Sequence, residues 1–341
     1  MIIWDNWEEI NKITKVNYSK LILLTDSNVF QHCVPYFNKK FHHEYDTIII
    51  PEGEQNKNLD SAQYVWKELL KLEADKKTLL LCLGGGMLTD MAGFCASLYK
   101  RGIDAVYFPT SLLGMTDAAI GGKTGIDLLS VKNAIGNYFY PIKIFLDLAF
   151  LNTLPKKEWI NGYAEIIKHS IIEDANLWEI LSGSPGYDFN SIHLQILKRS
   201  AEIKLNIVEK DPQEKLLRKK LNFGHTIGHG IESFFLANKL GISHGQAVAA
   251  GIWTESYINN KYALLGDDDF DKIKCLIEYN FNQVPIENNN ISTIIKFCKN
   301  DKKTTNGELS ICKIISIGHS EPIFHIKPEW ISEALLAYIS Q

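Results

Sequence analysis

The sequence predicts an α/β, Rossmann-like N-terminal domain over residues 1–155, followed by a mainly α-helical C-terminal domain over residues 156–341. Three observations carry that expectation. A chain of 341 residues with 45% hydrophobic content has room for about two domains at roughly 150 residues each, with ample material for buried cores. Short apolar runs alternate with helical patterns in the first half. Beyond Pro155 long amphipathic stretches take their place.

The first-half runs are Leu21 to Leu24, Thr47 to Ile50, Leu79 to Leu83, Ala105 to Phe108 and Ile144 to Leu146. Each is bounded by Gly, Pro or Asp, the pattern of strands covered on both faces, and helices between such strands give a mostly parallel sheet. In the second half, Glu158 to Ile172, Ile192 to Glu209, Thr226 to Ala237 and Gln246 to Tyr262 read at helical spacing. Pro155 stands just ahead of an acidic helix start and marks the boundary. The runs Asp267 to Asp269 and Asn288 to Asn290 are expected in polar loops.

Charge and composition exclude several function classes. With 36 basic against 40 acidic residues, spread evenly, the chain offers no electrostatic stripe for nucleic acid or anionic lipid. No apolar run reaches the roughly 18 to 20 residues of a spanning helix, and Met1 to Trp7 lacks the basic and apolar regions of a secretory signal. A cytoplasmic protein is expected. The cysteines at 33, 82, 95, 275, 298 and 312 stand singly and read as reduced, mostly core residues.

Three strings could carry chemistry. Gly84-Gly85-Gly86 lies between an apolar strand and a helix over Met91 to Tyr99. Glycines there let backbone N–H groups approach a pyrophosphate, although an ordinary tight turn explains them equally well. Upstream, Asp26 could accept from ribose hydroxyls or could simply cap a helix. The second string, Asp117 through Gly121-Gly122-Lys123-Thr124-Gly125, ends like a P-loop but lacks its first glycine. It reads as a flexible glycine loop presenting Lys123 beside Asp117, with Lys132 and Arg101 near in sequence, and such cations suit a phosphorylated or carboxylated small substrate. In the third, His225 and His229 are four apart and share a helix face. With His244 and Glu165, a carboxylate in an otherwise apolar helix segment, they could complete an open metal site.

Together these strings resemble one family, the 3-dehydroquinate synthases within the sugar-phosphate cyclases. The matching residues are Pro51-Glu52-Gly53-Glu54 with Lys57, Leu83 to Gly86 with Asp90, Arg101-Gly102, Pro109 to Leu113, and Asp117 through Gly125. They continue as Lys132 to Gly136, Ala164 to Lys168, Leu221 to His229, His244-Gly245 and Asp301-Lys302-Lys303, in order over nearly the whole chain. The resemblance implies an NAD-dependent lyase with one divalent metal, zinc or cobalt. It would convert 3-deoxy-D-arabino-heptulosonate 7-phosphate into 3-dehydroquinate and phosphate in the shikimate pathway, and act as a homodimer on a small phosphorylated carboxylate sugar.

By that resemblance residues 1–155 form the NAD-binding domain and residues 156–341 the metal- and substrate-binding domain. The metal ligands fall on Glu165, His225 and His244, which assigns His229 to substrate and proton transfer. Catalytic contacts fall on Asp117, Lys123, Asn133, Lys168 and His229. Substrate contacts fall on Arg101, Lys132, Lys204, Arg218, Asn222, Lys302 and Lys303, and cofactor contacts on Asp26, Asn28, Glu54, Lys57, Gly85, Gly86, Asp90, Thr110, Ser111 and Thr153. Three positions depart from the family pattern. Ser111 replaces a threonine but keeps the hydroxyl. Val131 replaces a glycine and is expected to stiffen the glycine loop. Gln246 replaces an acidic residue, which removes a carboxylate expected near His244.

Other classes remain open on the sequence alone. Another sugar-phosphate cyclase, making an inosose or valiolone, would use the same machinery, but Arg218 and Asn222 argue for a carboxylated substrate. A metal-dependent alcohol dehydrogenase would share the layout, leave the lysine set without purpose and release NADH. A noncatalytic scaffold would have no use for Lys168, His225 and His244.

Overall fold

Every apolar run of the first half becomes a strand of one parallel sheet. The computed structural model describes residues 2–15, 18–129, 131–183, 194–300 and 309–341, which group into two units, Met1–Glu158 and Trp159–Gln341. The first unit runs β1 (Ile2–Trp4), α1 (Trp7–Lys15), β2 (Lys20–Asp26), α2 (Ser27–His32), α3 (Val34–Lys40), β3 (Asp46–Ile50), α4 (Leu59–Lys71), β4 (Thr78–Gly84) and α5 (Gly86–Leu98). It continues with β5 (Asp104–Pro109), β6 (Lys123–Leu128), β7 (Val131–Tyr138) and β8 (Lys143–Leu146).

The six-stranded sheet has the order β1-β8-β5-β4-β2-β3, and all its pairs are parallel. Leu79 to Leu83 on central β4 are fully buried, the reason their run carries no polar alternation. From β2 the chain steps outward to β3 and then returns to the far side of β2 as β4. The carboxyl ends of β2 and β4 therefore flank the reversal of strand order, where open α/β sheets leave a crevice for ligands. Strand β1, only three residues long, is too short to show a period, and it forms by pairing with β8.

The sheet is anchored at β8 by a buried carboxylate. Asp147 Oδ2 accepts from Trp7 Nε1 at 2.9 Å and from Tyr36 Oη at 2.7 Å, while Oδ1 accepts from Ala149 N at 2.8 Å. Around it Trp7 packs on Phe37, Phe108, Phe145 and Phe150. One carboxylate thus satisfies two aromatic donors, buried Trp7 and half-buried Tyr36, and holds α1 and α3 to the sheet.

One expectation is corrected here. The segment read as a flexible glycine loop is an antiparallel hairpin, with Lys123 opposite Tyr138, Gly125 opposite Gly136 and Leu128 opposite Val131. Its glycines masked the two-residue period on which a strand reading depends. Val131 is a strand residue, where β-branching is favourable.

The second unit is mainly helical, with α6 (Lys156–Glu173) followed by α7 (Ala175–Ser182), α8 (Leu194–Lys210), α9 (His225–Ala237), α10 (His244–Tyr262), α11 (Asp267–Asn280), α12 (Ile291–Asn300) and α13 (Pro328–Ile339). Asp267 to Asp269 form the first turn of α11 rather than a loop, because acidic side chains favour the positive end of a helix. The hairpin of β9 (Leu309–Ser316) and β10 (His319–Ile326) was not expected from the sequence. Its edge is covered by buried Asn259 on α10, whose Nδ2 donates to Cys312 O at 3.1 Å and whose Oδ1 accepts from Ile314 N at 2.8 Å. Among the described residues no helix is long and apolar enough to cross a membrane.

Asp147→Ala should lower the thermal midpoint, with a loss of about 2–4 kcal/mol, because two ring-borne donors lose their acceptor. Asp147→Asn keeps an acceptor and should lose less. An unchanged midpoint for the alanine variant would remove the anchoring role.

Candidate active site

The first unit gathers its polar groups at the carboxyl edge of the sheet. Asp26 ends β2 and caps α2, its Oδ1 accepting from Val29 N at 2.9 Å. Burial raises its carboxyl pKa, against the lowering effect of the Val29 and Asn28 amides. Asn28 follows in the first turn of α2. Gly85 and Gly86 open α5 directly after β4, and a Cβ on Gly86 would sit 2.8 Å from Ala118 Cβ. Packing alone therefore accounts for a glycine at 86. Thr110 and Ser111 follow β5, with Thr110 N bonded to Gly84 O at 3.0 Å and Ser111 Oγ accepting from Gly114 N at 3.1 Å. Asp117 lies in the short helical turn Gly114–Ala118.

Lys57 ties several of these pieces together. Its side chain is 3% exposed, and Nζ donates to Asp90 Oδ2 and to Asn133 Oδ1, each at 2.6 Å, and lies 3.9 Å from Glu54 Oε1. Burial opposes its charge, but Asp90, Glu54 and Asp127 outweigh it and raise the pKa. The hairpin is held from the other side as well. Asp127 N donates to Lys57 O at 2.7 Å, and Asp127 Oδ1 accepts from Asn133 N at 2.7 Å. Asn133 has φ +49°, a left-handed conformation tolerated because these contacts over-determine it. Lys123 begins β6, and Lys132 precedes Asn133 on β7. Thr153 closes the turn Leu148–Thr153, its Oγ1 3.8 Å from Cys33 Sγ. Arg101 stands apart from these groups, just before β5 and so at the amino edge of the sheet.

In the second unit Glu165 is the focus. It and Lys168 are three apart on α6, both buried and paired with each other. His225 opens α9 and His244 opens α10. Glu165 Oε1 lies 3.3 Å from His225 Nε2 and 3.5 Å from His244 Nε2. One ligand atom from each of the three residues lies within 4.8 Å of the others. The His229 ring joins the cluster, its centroid 5.2 Å from that of His225 and 6.1 Å from that of His244.

This donor set fits a divalent ion. One carboxylate with two imidazoles is the nitrogen and oxygen ligation of an open zinc-type site. His225 Nδ1 donates to Phe223 O at 3.0 Å, which directs the lone pair of Nε2 toward Glu165. Burial lowers the His225 pKa to about 3 against the opposing pull of Glu165, so the ring is neutral, as a ligand must be. For His244, burial also disfavours the proton, but Glu165 and Glu232 outweigh it and raise the pKa to about 9. The pocket attracts positive charge at that ring.

Backbone contact brings the two histidine helices together. A Cβ on Gly251 of α10 would lie 1.9 Å from Gly224 O and 2.8 Å from Gly228 N. Buried Glu255, one turn further, accepts from Gly224 N at 2.8 Å and from Ile227 N at 3.1 Å. It caps the N-terminus of α9 at His225. The rest of the expected set is spread over nearby elements. Lys204 is buried on α8, and Arg218 is buried in the turn Leu217–Asn222 with Nη1 bonded to Pro212 O at 2.9 Å. Asn222 Nδ2 donates to Glu214 Oε1 at 2.7 Å. Lys302 and Lys303 lie outside the described residues.

Sequence reasoning missed Glu214, Glu232 and Glu255. Glu255 carries the signal that exposed Glu165, an acid inside an apolar helix, and Glu232 follows His229 by three residues on the same helix face. Gln246 does not leave the feared gap. It closes a capping box with Ser243 at the start of α10, while Glu232 Oε1 faces His244 Nδ1 at 3.7 Å.

Comparison with known proteins places these features. Residues 47–161 match the family model of the 3-dehydroquinate synthase N-terminal region, and residues 162–304 match that of the C-terminal region. The chain is 34% identical over 331 residues to the 3-dehydroquinate synthase of Parabacteroides distasonis, covering 96% of this chain and 93% of that protein. It is 34% identical over 340 residues to the synthase of Thermoanaerobacter pseudethanolicus, covering 97% and 95%. Among solved structures, the 2-epi-5-epi-valiolone synthase of Streptomyces hygroscopicus, with NAD+ and Zn2+ bound, superposes with a TM-score of 0.85 at 23% identity, covering 100% and 96% of the two chains. An iron-containing alcohol dehydrogenase of Thermotoga maritima reaches a TM-score of 0.66 at 14% identity, covering 100% and 98%. The layout common to cyclases and dehydrogenases is a likeness of fold.

Gly251→Ala tests the helix contact. It should destabilise the protein by about 1–3 kcal/mol through overpacking against backbone that cannot rotate away, read as a lower thermal midpoint. A variant as stable as the parent would show that α9 and α10 have room to spare.

Proposed function

This chain belongs to the 3-dehydroquinate synthase family, and from that membership we propose how its residues divide the work of the reaction. The activity is conversion of 3-deoxy-D-arabino-heptulosonate 7-phosphate into 3-dehydroquinate and phosphate, a carbon–oxygen lyase reaction. When bound, NAD would supply a temporary oxidation that acidifies the neighbouring C–H bond, and a divalent ion, zinc or cobalt, would supply Lewis-acid polarisation of the substrate's oxygens. The observation that carries this reading is the convergence of Glu165, His225 and His244 on one small volume.

In this reading those three side chains hold the ion. At the carboxyl edge of the first unit's sheet, Asp26, Asn28, Gly85, Gly86, Thr110, Ser111 and Thr153, with Glu54, Lys57 and Asp90, would hold NAD. The bond from Lys57 to Asn133 Oδ1 turns the amide so that Nδ2 presents N–H donors to a phosphate oxygen. On the first unit, Lys123 and Lys132 add positive charge that opposes the charge developing on the leaving phosphate, and on the second, Lys168 beside Glu165 serves the substrate. Asp117 helps hold the sugar. His229 serves the substrate and moves a proton, and the phosphate's own oxygens assist removal of the C6 proton. Lys204 and Arg218, with Lys302 or Lys303, bind the carboxylate end. The bond from Asn222 to Glu214 turns Oδ1 as an acceptor toward a substrate hydroxyl. Ring opening and aldol closure then need little beyond a reactive conformer.

We also propose a cytoplasmic homodimer. All six cysteines are free thiols, which suits a reducing compartment. Leu128, Leu129, Val131, Ile135 and Tyr138 expose apolar surface on the β6–β7 hairpin, a face that a second copy could cover. Sedimentation velocity should give the mass of two chains; a monomer would sink the dimer.

Incubation with the heptulosonate phosphate, NAD and zinc should release phosphate and dehydroquinate in equal amounts. Lasting stoichiometric NADH in the steady state would favour a dehydrogenase instead. His225→Ala should lose bound metal together with turnover, and stoichiometric zinc retained in that variant would remove the ligand set. His229→Ala should keep its metal while kcat falls by roughly 10²–10⁴-fold, the usual worth of a proton-transfer group. Loss of metal there would make His229 a ligand.

A further inference from the structure

The His244 ring is flanked by two carboxylates. Its Nε2 lies 3.5 Å from Glu165 Oε1 and its Nδ1 lies 3.7 Å from Glu232 Oε1. Glu232 is 6% exposed and sits on α9, the helix that also carries His225 and His229. Burying a second carboxylate here is costly unless it meets a positive or hydrogen-bonding partner. No step of the reaction described above uses it.

An imidazole that gives Nε2 to a metal carries its proton on Nδ1, and the partner of that proton fixes the tautomer, orients the ring and raises its basicity. The two imidazoles of the site have different partners. His225 Nδ1 donates to the neutral Phe223 carbonyl at 3.0 Å, whereas the group facing His244 Nδ1 is an acid. At 3.7 Å this is an ion-pair distance and not yet a hydrogen bond. Gln246, two residues beyond His244, is engaged in capping α10. The carboxylate therefore reaches His244 from the neighbouring helix.

We propose that Glu232 is a positioning residue for the metal centre, holding His244 by its Nδ1–H so that Nε2 faces the space shared with Glu165 and His225. The inference rests on the metal reading above. Glu232 itself does not ligate the ion, although His229, Glu232 and His244 also offer atoms within 4.8 Å of one another.

The experiment is zinc competition against a chromophoric chelator with the full chain, paired with the d–d spectrum of the cobalt-loaded protein. Glu232→Gln should keep one zinc per chain at saturation but weaken its affinity about 10–100-fold. Glu232→Ala, which has no acceptor, should weaken it further. The cobalt spectrum of each variant should keep the parent's band intensity, since the ligand count is unchanged. Unaltered affinity in both variants would overturn the proposal. So would loss of stoichiometric binding with a changed cobalt spectrum in folded protein, which would make Glu232 a ligand. If the parent chain binds no stoichiometric zinc, the metal reading fails first, and that result is distinct from either. Should the alanine variant fail to fold, Glu232→Gln, nearly isosteric, carries the test.

Discussion

The second unit is organised around one buried acid. A carboxylate withdrawn from water as fully as Glu165 is tolerated only where positive or hydrogen-bonding groups compensate it. Lys168, one turn along α6, supplies a cation, and His225 and His244 aim Nε2 at the same oxygen. The surrounding architecture serves to bring those rings in. Both open their helices, so their positions depend on where α9 and α10 begin. Glu255 fixes the start of α9, and a side-chain-free crossing at Gly251 and Gly224 lets the two helices meet backbone to backbone.

The first unit handles buried charge by the same logic with the sign reversed. Lys57 is nearly sealed from solvent and is balanced by Asp90, Glu54 and the Asn133 carbonyl. That balance joins the turn after β3, helix α5 and the β6–β7 hairpin. A residue expected to touch cofactor thereby also sets the orientation of one expected to touch substrate. Changes at Lys57 should not be read as effects on cofactor alone.

Fold does not separate this chain from the dehydrogenases that share its layout. What separates it is sequence: residues 47–161 and 162–304 match the two family models of the 3-dehydroquinate synthases, and members of that family are 34% identical over nearly the whole chain.

The sequence alone determined five strands of the parallel sheet, β2, β3, β4, β5 and β8, and the helices α6, α8, α9 and α10, because burial on both faces demands unbroken apolar runs and burial on one face demands a 3.6-residue period. It also showed Glu165, since an acid in an apolar helix is a local anomaly. The β6–β7 hairpin stayed hidden because Gly125 and Gly136 interrupt its alternation, and β1 because three residues carry no period. The choice among the histidines lay beyond spacing, which had paired His225 with His229 and left His244 as a distant addition. Only the crossing of α9 over α10 set His244 beside Glu165 and turned Glu232 toward its other nitrogen. Contacts between side chains far apart in the chain depend on how helices pack, and no local pattern encodes that.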